Sequence, residues 1–109
     1  MAEELTPSQK QRHDLNELLV ALLGSRNVYF QPPDDIRMSY PAFVYKRSDS
    51  STDYADNRPY RRKKQWEITH ISDDRDDPTP DKVEELPLCS FDRHFVADKL
   101  YHNVFTLYF

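Results

Sequence analysis

Several residues whose side chains could do chemistry lie close together near the end of the printed sequence: Cys89, Asp92, His94, Asp98 and His102. A zinc site would need three or four such ligands converging at fixed geometry. None of the compact histidine motifs, such as His-Glu-x-x-His, is present. Polar positions on a sheet surface account for the two histidines more simply, so a metal site is the less favoured interpretation.

Cys89 is the single cysteine of the chain. With a histidine it could form a nucleophilic pair, but it stands in an apolar stretch entering a predicted strand, where cysteine is an ordinary core residue. A lone cysteine excludes an internal disulfide and favours a reducing cytoplasm. The one glycine, Gly24, excludes the dinucleotide and P-loop fingerprints, which need several. We therefore expect no enzyme activity, no cofactor and no metal.

Two charged clusters of opposite sign are the remaining candidates for a functional site. The basic cluster, with an interleaved tyrosine, consists of Tyr54, Arg58, Arg61, Arg62, Lys63 and Lys64. The acidic cluster consists of Asp73, Asp74, Asp76 and Asp77. Each is either a solvated edge, where lysines deter strand aggregation, or a contact surface. Because a head-to-tail ring joins two different faces of identical subunits, the two clusters predict a subunit interface.

Size and composition predict one folded domain over residues 1–109. Charged residues make up 31% of the chain, but one Trp, seven Tyr and six Phe supply enough buried surface for a core. The net charge of −4 argues against nucleic acid as the main partner. No apolar run reaches the roughly 18–20 residues of a membrane helix, so no membrane partner is expected.

The stretch from Thr6 to Gly24 predicts the first helix. Thr6 and Gln9 match a capping box, with Pro7 at the first helical position. Gly24 stands where a left-handed C-cap is expected. Leucines at helical spacing predict the face that enters the core: Leu15, Leu18, Leu19, Leu22 and Leu23. Residues 1–7 are expected to be flexible.

Residues 27–31, 42–46 and 65–71 are β-prone runs and predict strands. In the third run Trp66, Ile68 and His70 share one face. Residues 47–62 are almost wholly polar and predict a long loop or arm. After an acidic loop at 73–78, Thr79 and Pro80 predict a short second helix with Thr79 as its N-cap, ending before Pro87.

Residues 90–96 and 103–109 predict two strands joined by a turn at Asp98 and Lys99. The last run lacks polar alternation, so it is expected to be a central strand buried on both faces, with Phe105 and Leu107 in the core. Adjacent strands are expected to form hairpins. The element order predicts an α+β fold, in which a small, mostly antiparallel β-sheet is flanked by an N-terminal amphipathic helix and a short second helix.

Three parts of the sequence carry a family resemblance: 17–33, with its leucine-rich helix end and VYFQPP run, then 40–45, then 81–94. In content and order they resemble the small tail-terminator or tail-completion proteins encoded among the head–tail joining proteins of siphophages. The resemblance extends over nearly the whole chain from about Gln11.

The resemblance implies a homo-oligomer, a hexameric ring on the head-proximal end of the tail tube. Such a ring ends polymerisation of the tail tube protein and joins the tail to the head connector or adaptor protein. It implies a virion protein of the tail or neck, assembled in the host cell cytoplasm.

Other classes remain open. A head–tail adaptor or a tail tube subunit would also be a structural protein, but a tube subunit forms long polymers whereas a terminator stops at a ring. A nucleic-acid-binding regulator using residues 58–64 would bind with an affinity that falls steeply with salt.

Overall fold

The computed structural model describes residues 6–33, 36–48 and 64–109. The elements are α1 (Pro7–Leu23), β1 (Val28–Phe30), β2 (Ala42–Arg47), β3 (Gln65–Ser72), α2 (Thr79–Glu84), β4 (Cys89–Ala97) and β5 (Leu100–Tyr108). The strands form one five-stranded sheet in the order β1-β2-β3-β5-β4. Every pairing except that of β1 with β2 is antiparallel. The chain therefore has the α+β fold that its sequence predicts.

The helix α1 and the strand β2 extend into two segments that the sequence predicts to be irregular, residues 1–7 and 47–62. Thr6 and Pro7, the last two residues of the leader expected over 1–7, belong to the capped start of α1. Arg47 ends β2 opposite Trp66 instead of opening the polar arm. The rest of the arm predicted over 47–62, apart from Ser48, lies outside the described residues.

Local signals fix both ends of α1. The side chain of Thr6 accepts a hydrogen bond from the backbone N–H of Gln9 at 3.1 Å, and the backbone N–H of Thr6 donates to Gln9 Oε1 at 2.8 Å. At the other end Gly24 has φ 83°, and its N–H donates to the carbonyl of Val20 at 2.9 Å. Glycine adopts this left-handed conformation without a Cβ clash. The predicted capping box and C-cap are confirmed.

The core lies between α1 and one face of the sheet. Leu15 and Leu19 are fully buried, whereas Leu18, Leu22 and Leu23 are half-buried at its border. The other fully buried members of the cluster come from the sheet and from α2: Phe43, Tyr45, Trp66, Ile68, Val83, Phe105 and Leu107. We call this side of the sheet the helix face and the other side the open face.

The pairing of β1 with β2 differs from the expected hairpin. The two strands are parallel, with Val28 opposite Phe43 and Phe30 opposite Tyr45. Parallel neighbours cannot be joined by a tight turn, and Pro32, two residues after the strand ends, has no N–H to close one. The connection after β1 therefore runs back along the sheet before β2 begins.

Two further expectations need correction. Thr79 is not the N-cap of α2, because it is the first helical residue and is buried. Its backbone N–H instead donates to Asp77 Oδ1 at 2.9 Å. In addition, β3 occupies the centre of the sheet, whereas β5 lies one place away, between β3 and β4. Within β5, Val104 and Phe105 point to opposite faces and are each only 1% exposed, so its middle is buried on both sides as expected.

The predicted turn at Asp98 and Lys99 is confirmed as a two-residue hairpin loop. Ala97 is opposite Leu100, and the two loop residues have φ of 54° and 64°. Two positive φ values are what a type I′ turn requires, and its backbone twist matches that of the strands it joins. Pairing therefore extends to the turn, so β4 and β5 are longer than the sequence predicts.

We expect Leu19→Ala to lower the free energy of unfolding by about 2–5 kcal/mol, because it leaves a cavity in a fully buried site. Urea unfolding followed by circular dichroism measures this. Glu17→Ala in the same helix is the control, since its ion pair with Arg26 is exposed and should contribute under about 1 kcal/mol. Equal losses for the two variants would contradict the assignment of the core.

We expect Lys99→Gly to raise the free energy of unfolding by up to about 1 kcal/mol, because glycine adopts φ 64° without the left-handed strain of lysine. Ala97→Gly, one residue outside the turn, is the control and should destabilise the chain, since glycine weakens a strand. A fall in the urea midpoint for Lys99→Gly would show that the turn is not strained.

Candidate functional site

Strand β4 forms one outer edge of the sheet, and no other described strand pairs with its far side. It carries apolar side chains that remain accessible: Phe91 is 46% exposed, Phe95 40% and Val96 57%. A long edge strand with exposed apolar residues is a template for association with another chain. The edge of β4 is therefore a candidate contact surface.

A β-bulge interrupts this edge. Phe91 is opposite Phe105 and Arg93 is opposite Val104, which leaves Asp92 as the extra residue. The Arg93 guanidinium lies 2.6 Å from the Asp92 carboxylate. Bulges increase local twist and restrict which strands can pair with an edge. The edge is therefore open, but only to a partner whose shape matches the bulge.

On the helix face, the acidic loop at 73–78 borders a cavity of about 420 Å³, which we call the acidic cavity. Register places His70, Asn103 and His94 side by side in one row across β3, β5 and β4, and all three line the cavity. The side chains that give it its charge include Asp74, Asp76, Asp77 and Asp81. Apart from Asp77 they are exposed.

Asp77 organises this loop. Its Oδ1 accepts from the backbone N–H of Thr79 at 2.9 Å, and its Oδ2 accepts from Ser72 Oγ at 3.0 Å. Burial alone would raise the pKa of Asp77, but these hydrogen bonds, with His70 nearby, hold the pKa below its usual value. The carboxylate therefore stays ionised and anchors the start of α2.

His70 lies beneath Asp77 and has no accessible surface. Its Nε2 is 3.7 Å from Asp77 Oδ2, which is too long for a hydrogen bond. Neither ring nitrogen has a hydrogen-bond partner among the described residues. Burial lowers the pKa of His70, and the Asp77 charge opposes this only in part. The imidazole is therefore neutral at pH 7, with two unsatisfied nitrogens at the wall of the acidic cavity.

The open face has a groove of its own, with a volume of about 700 Å³. One row of its floor runs through Val44, Thr69 and Val104 to Arg93 on β4. The segment after β1, with Ile36 and Met38, forms a wall. Because Thr69 and His70 are consecutive in a strand, this groove and the acidic cavity lie on opposite faces.

Most of the predicted interface lies beyond what can be described: Tyr54, Arg58, Arg61, Arg62 and Lys63 are outside the described residues. Lys64 is described, and its backbone pairs with Phe109 in both directions at 3.1 and 2.9 Å. Asp73, Asp74 and Asp76 are exposed, as a contact surface requires. Of these, only Asp73 does not line the acidic cavity.

The chemistry-bearing residues near the end of the chain do not converge. Across residues 6–33, 36–48 and 64–109, no group of three or more His, Cys, Asp and Glu is arranged to hold a metal ion. Cys89 is half-buried against the core, and burial, followed by the charge of Glu84, raises the pKa of its thiol. His94 Nδ1 lies 3.1 Å from Asn103 Oδ1. Cys89 is therefore packed against the core, and His94 lies beside Asn103 on the sheet.

Sequence reasoning missed His70, because its strand position assigned it to the core with Trp66 and Ile68. The available signal was a histidine on a buried face followed closely by a dense acidic run. Within the described part of the chain, no helix is both long and apolar enough to cross a membrane.

We expect acid to destabilise the chain through His70. An unfolded histidine has a pKa of about 6.5, and burial places the folded value lower. The contribution of His70 to the free energy of unfolding is therefore fully present above about pH 6.5. It is lost as pH falls towards the folded pKa, because the unfolded chain binds the proton first. Asp77 does not titrate in this interval, since its pKa is below its usual 3.8.

Urea unfolding at pH 7.5 and pH 5.0 measures this loss. In His70→Leu the loss should shrink, whereas in the control His94→Gln, at an exposed histidine of the same cavity, it should equal that of the unsubstituted chain. An unchanged pH dependence in His70→Leu would show that another group is responsible.

The chain matches no protein-family model, no curated protein and no solved structure. Its function therefore has to be inferred from its own surfaces, which are the open edge of β4, the acidic cavity and the groove on the opposite face.

Proposed function

We propose that this chain is a structural subunit that assembles with copies of itself, and that it acts as a tail-terminator or tail-completion protein of a siphophage. The observation that supports self-assembly best is the edge of β4, where Phe91, Phe95 and Val96 remain exposed beside an unpaired strand edge. The phage role comes from the sequence resemblance, and the α+β fold is the one that the resemblance implies.

Energetics favour association through this edge. Burying apolar surface contributes about 25 cal/mol per Å², so covering three large side chains is a substantial gain. A domain of 109 residues buries only about 60–70% of the surface of its unfolded chain, so its own stability is modest. Neighbours that bind only the folded state stabilise it further by mass action.

The distribution of surfaces suits a ring. A closed ring with head-to-tail contacts needs two different surfaces on each subunit, and a terminator ring also binds different partners at its two ends. The edge of β4, the acidic cavity on the helix face and the groove on the open face are three distinct surfaces. A terminator uses such asymmetry to bind the tube at one end and the head connector at the other.

We expect Val96→Lys to shift the assembled protein to monomers, because a charge placed on an apolar contact must be desolvated. Sedimentation velocity measures the shift, and circular dichroism checks that the monomer is folded. Ala21→Lys on the exposed side of α1 is the control and should leave assembly unchanged. Normal assembly of Val96→Lys would remove β4 from the interface.

The role at the tail is tested with the tail tube protein encoded by the same phage. Added to a polymerising tube preparation, the chain should stop growth and appear in electron micrographs as a ring at one end. Incorporation along the tube would identify a tube subunit, and binding to the connector alone an adaptor. Binding to duplex DNA that weakens steeply with salt would favour the nucleic-acid-binding regulator.

A further inference from the structure

The acidic cavity has more negative charge than its surroundings neutralise. Among the described residues, the carboxylates of Asp74, Asp76 and Asp81 form no ion pair with a lysine or an arginine. The one arginine in the lining, Arg75, is exposed and forms no ion pair with a described carboxylate. A concave site lined by one sign of charge attracts ligands of the opposite sign.

His70 provides a second, independent observation. A buried polar group without a hydrogen bond costs about 1–3 kcal/mol, and both nitrogens of this fully buried ring are unsatisfied in the described structure. Its Nε2 and the Asp77 Oδ2 are 3.7 Å apart. A cationic donor bound at Asp77 Oδ2 therefore lies next to Nε2, and it reaches that nitrogen when the cavity wall opens, because the ring has no accessible surface.

The size and chemistry of the cavity limit the ligand. An anion is repelled by the carboxylates. A single metal ion needs three or four ligands around one point, and no described group of His, Cys, Asp and Glu meets this condition. A volume of about 420 Å³ suits an organic cation. Arginine fits best, because its planar guanidinium has five donors and can serve several carboxylates at once.

We propose that the acidic cavity binds the guanidinium group of an arginine from a neighbouring protein chain. Asp77 and His70 form the inner end of this site, and Asp74, Asp76 and Asp81 form its mouth. The inference deepens the proposed function, on which it rests, by naming the chemistry of a partner contact. The arginine comes either from residues 58–64 of a second copy, which contain three arginines, or from another tail or connector protein.

The binding test uses an acetylated and amidated peptide with the sequence of residues 58–64, RPYRRKK. Its affinity for the monomeric Val96→Lys protein is measured by calorimetry. A peptide with citrulline at the three arginine positions keeps the shape and removes the charge, and we expect it to bind at least tenfold more weakly. The same measurement on the unsubstituted chain makes the result independent of whether β4 mediates assembly.

Matched variants locate the site. We expect Asp81→Asn to weaken peptide binding at least fivefold, whereas Asp73→Asn, which removes one carboxylate of the neighbouring acidic loop outside the cavity, should change it less than twofold. A substitution at Asp77 would also disturb the start of α2. The test therefore uses the exposed Asp81, so that weaker binding does not result from a change in folding. Equal effects of the two variants, or equal binding of the citrulline peptide, would overturn the proposal.

The source of the arginine is tested in the full chain with the double variant Arg61→Glu and Arg62→Glu. Loss of assembly, partly restored by combining it with Asp74→Lys and Asp76→Lys, identifies a second copy as the partner. Normal assembly, with the cavity still binding the arginine peptide but not the citrulline one, identifies another protein as the source. Failure of the unsubstituted cavity to bind the arginine peptide overturns the proposal in either case.

Discussion

The structure depends on the packing of α1 against a sheet that is wider than the helix can cover. A helix of 17 residues is about 25 Å long and about 10 Å wide, whereas neighbouring strands lie about 4.8 Å apart. Leu15 and Leu19 therefore secure the middle of one face, where β2, β3 and β5 meet in the core. The open face receives no described helix, and the short helix α2, which packs against the outer strand β4, leaves Phe91, Phe95 and Val96 exposed. The exposed apolar side chains of β4 and the groove on the open face follow from this shortage of helix.

The second organising interaction is the carboxylate of Asp77. It receives hydrogen bonds from Thr79 and Ser72 and lies next to His70, so it joins the end of β3 to the start of α2. This holds a highly charged loop in a fixed shape although its other aspartates are exposed. The same residue therefore serves folding and defines the wall of the acidic cavity. A solvated charged run without such an anchor would not form a cavity at all.

The sequence predicts those parts of the fold whose determinants are local. The capping box at Thr6, the C-cap at Gly24 and the turn at Asp98 and Lys99 depend on neighbouring residues, and all three are confirmed. The parallel pairing of β1 was not predictable, because it is set by contacts between residues distant in sequence. The cap of α2 was misassigned because the helix begins at Thr79 itself, whose backbone N–H donates to Asp77, two residues earlier. For the candidate site, the acidic residues were evident from the sequence, but their convergence with His70 required the register of the sheet.

The bulge at Asp92 has a consequence for solubility. In a regular strand successive side chains alternate between the two faces of the sheet. A foreign strand that pairs with it can therefore shift by two residues and still keep its apolar side chains on the same face. Here the extra residue reverses the alternation between Phe91 and Arg93, so the two halves of β4 have opposite parity. If a regular strand paired with the whole length of β4, its side chains would alternate in step with one half of β4. Along the other half, the same side chains would lie on the opposite faces. Fibril growth by repeated strand stacking along this edge is thereby discouraged.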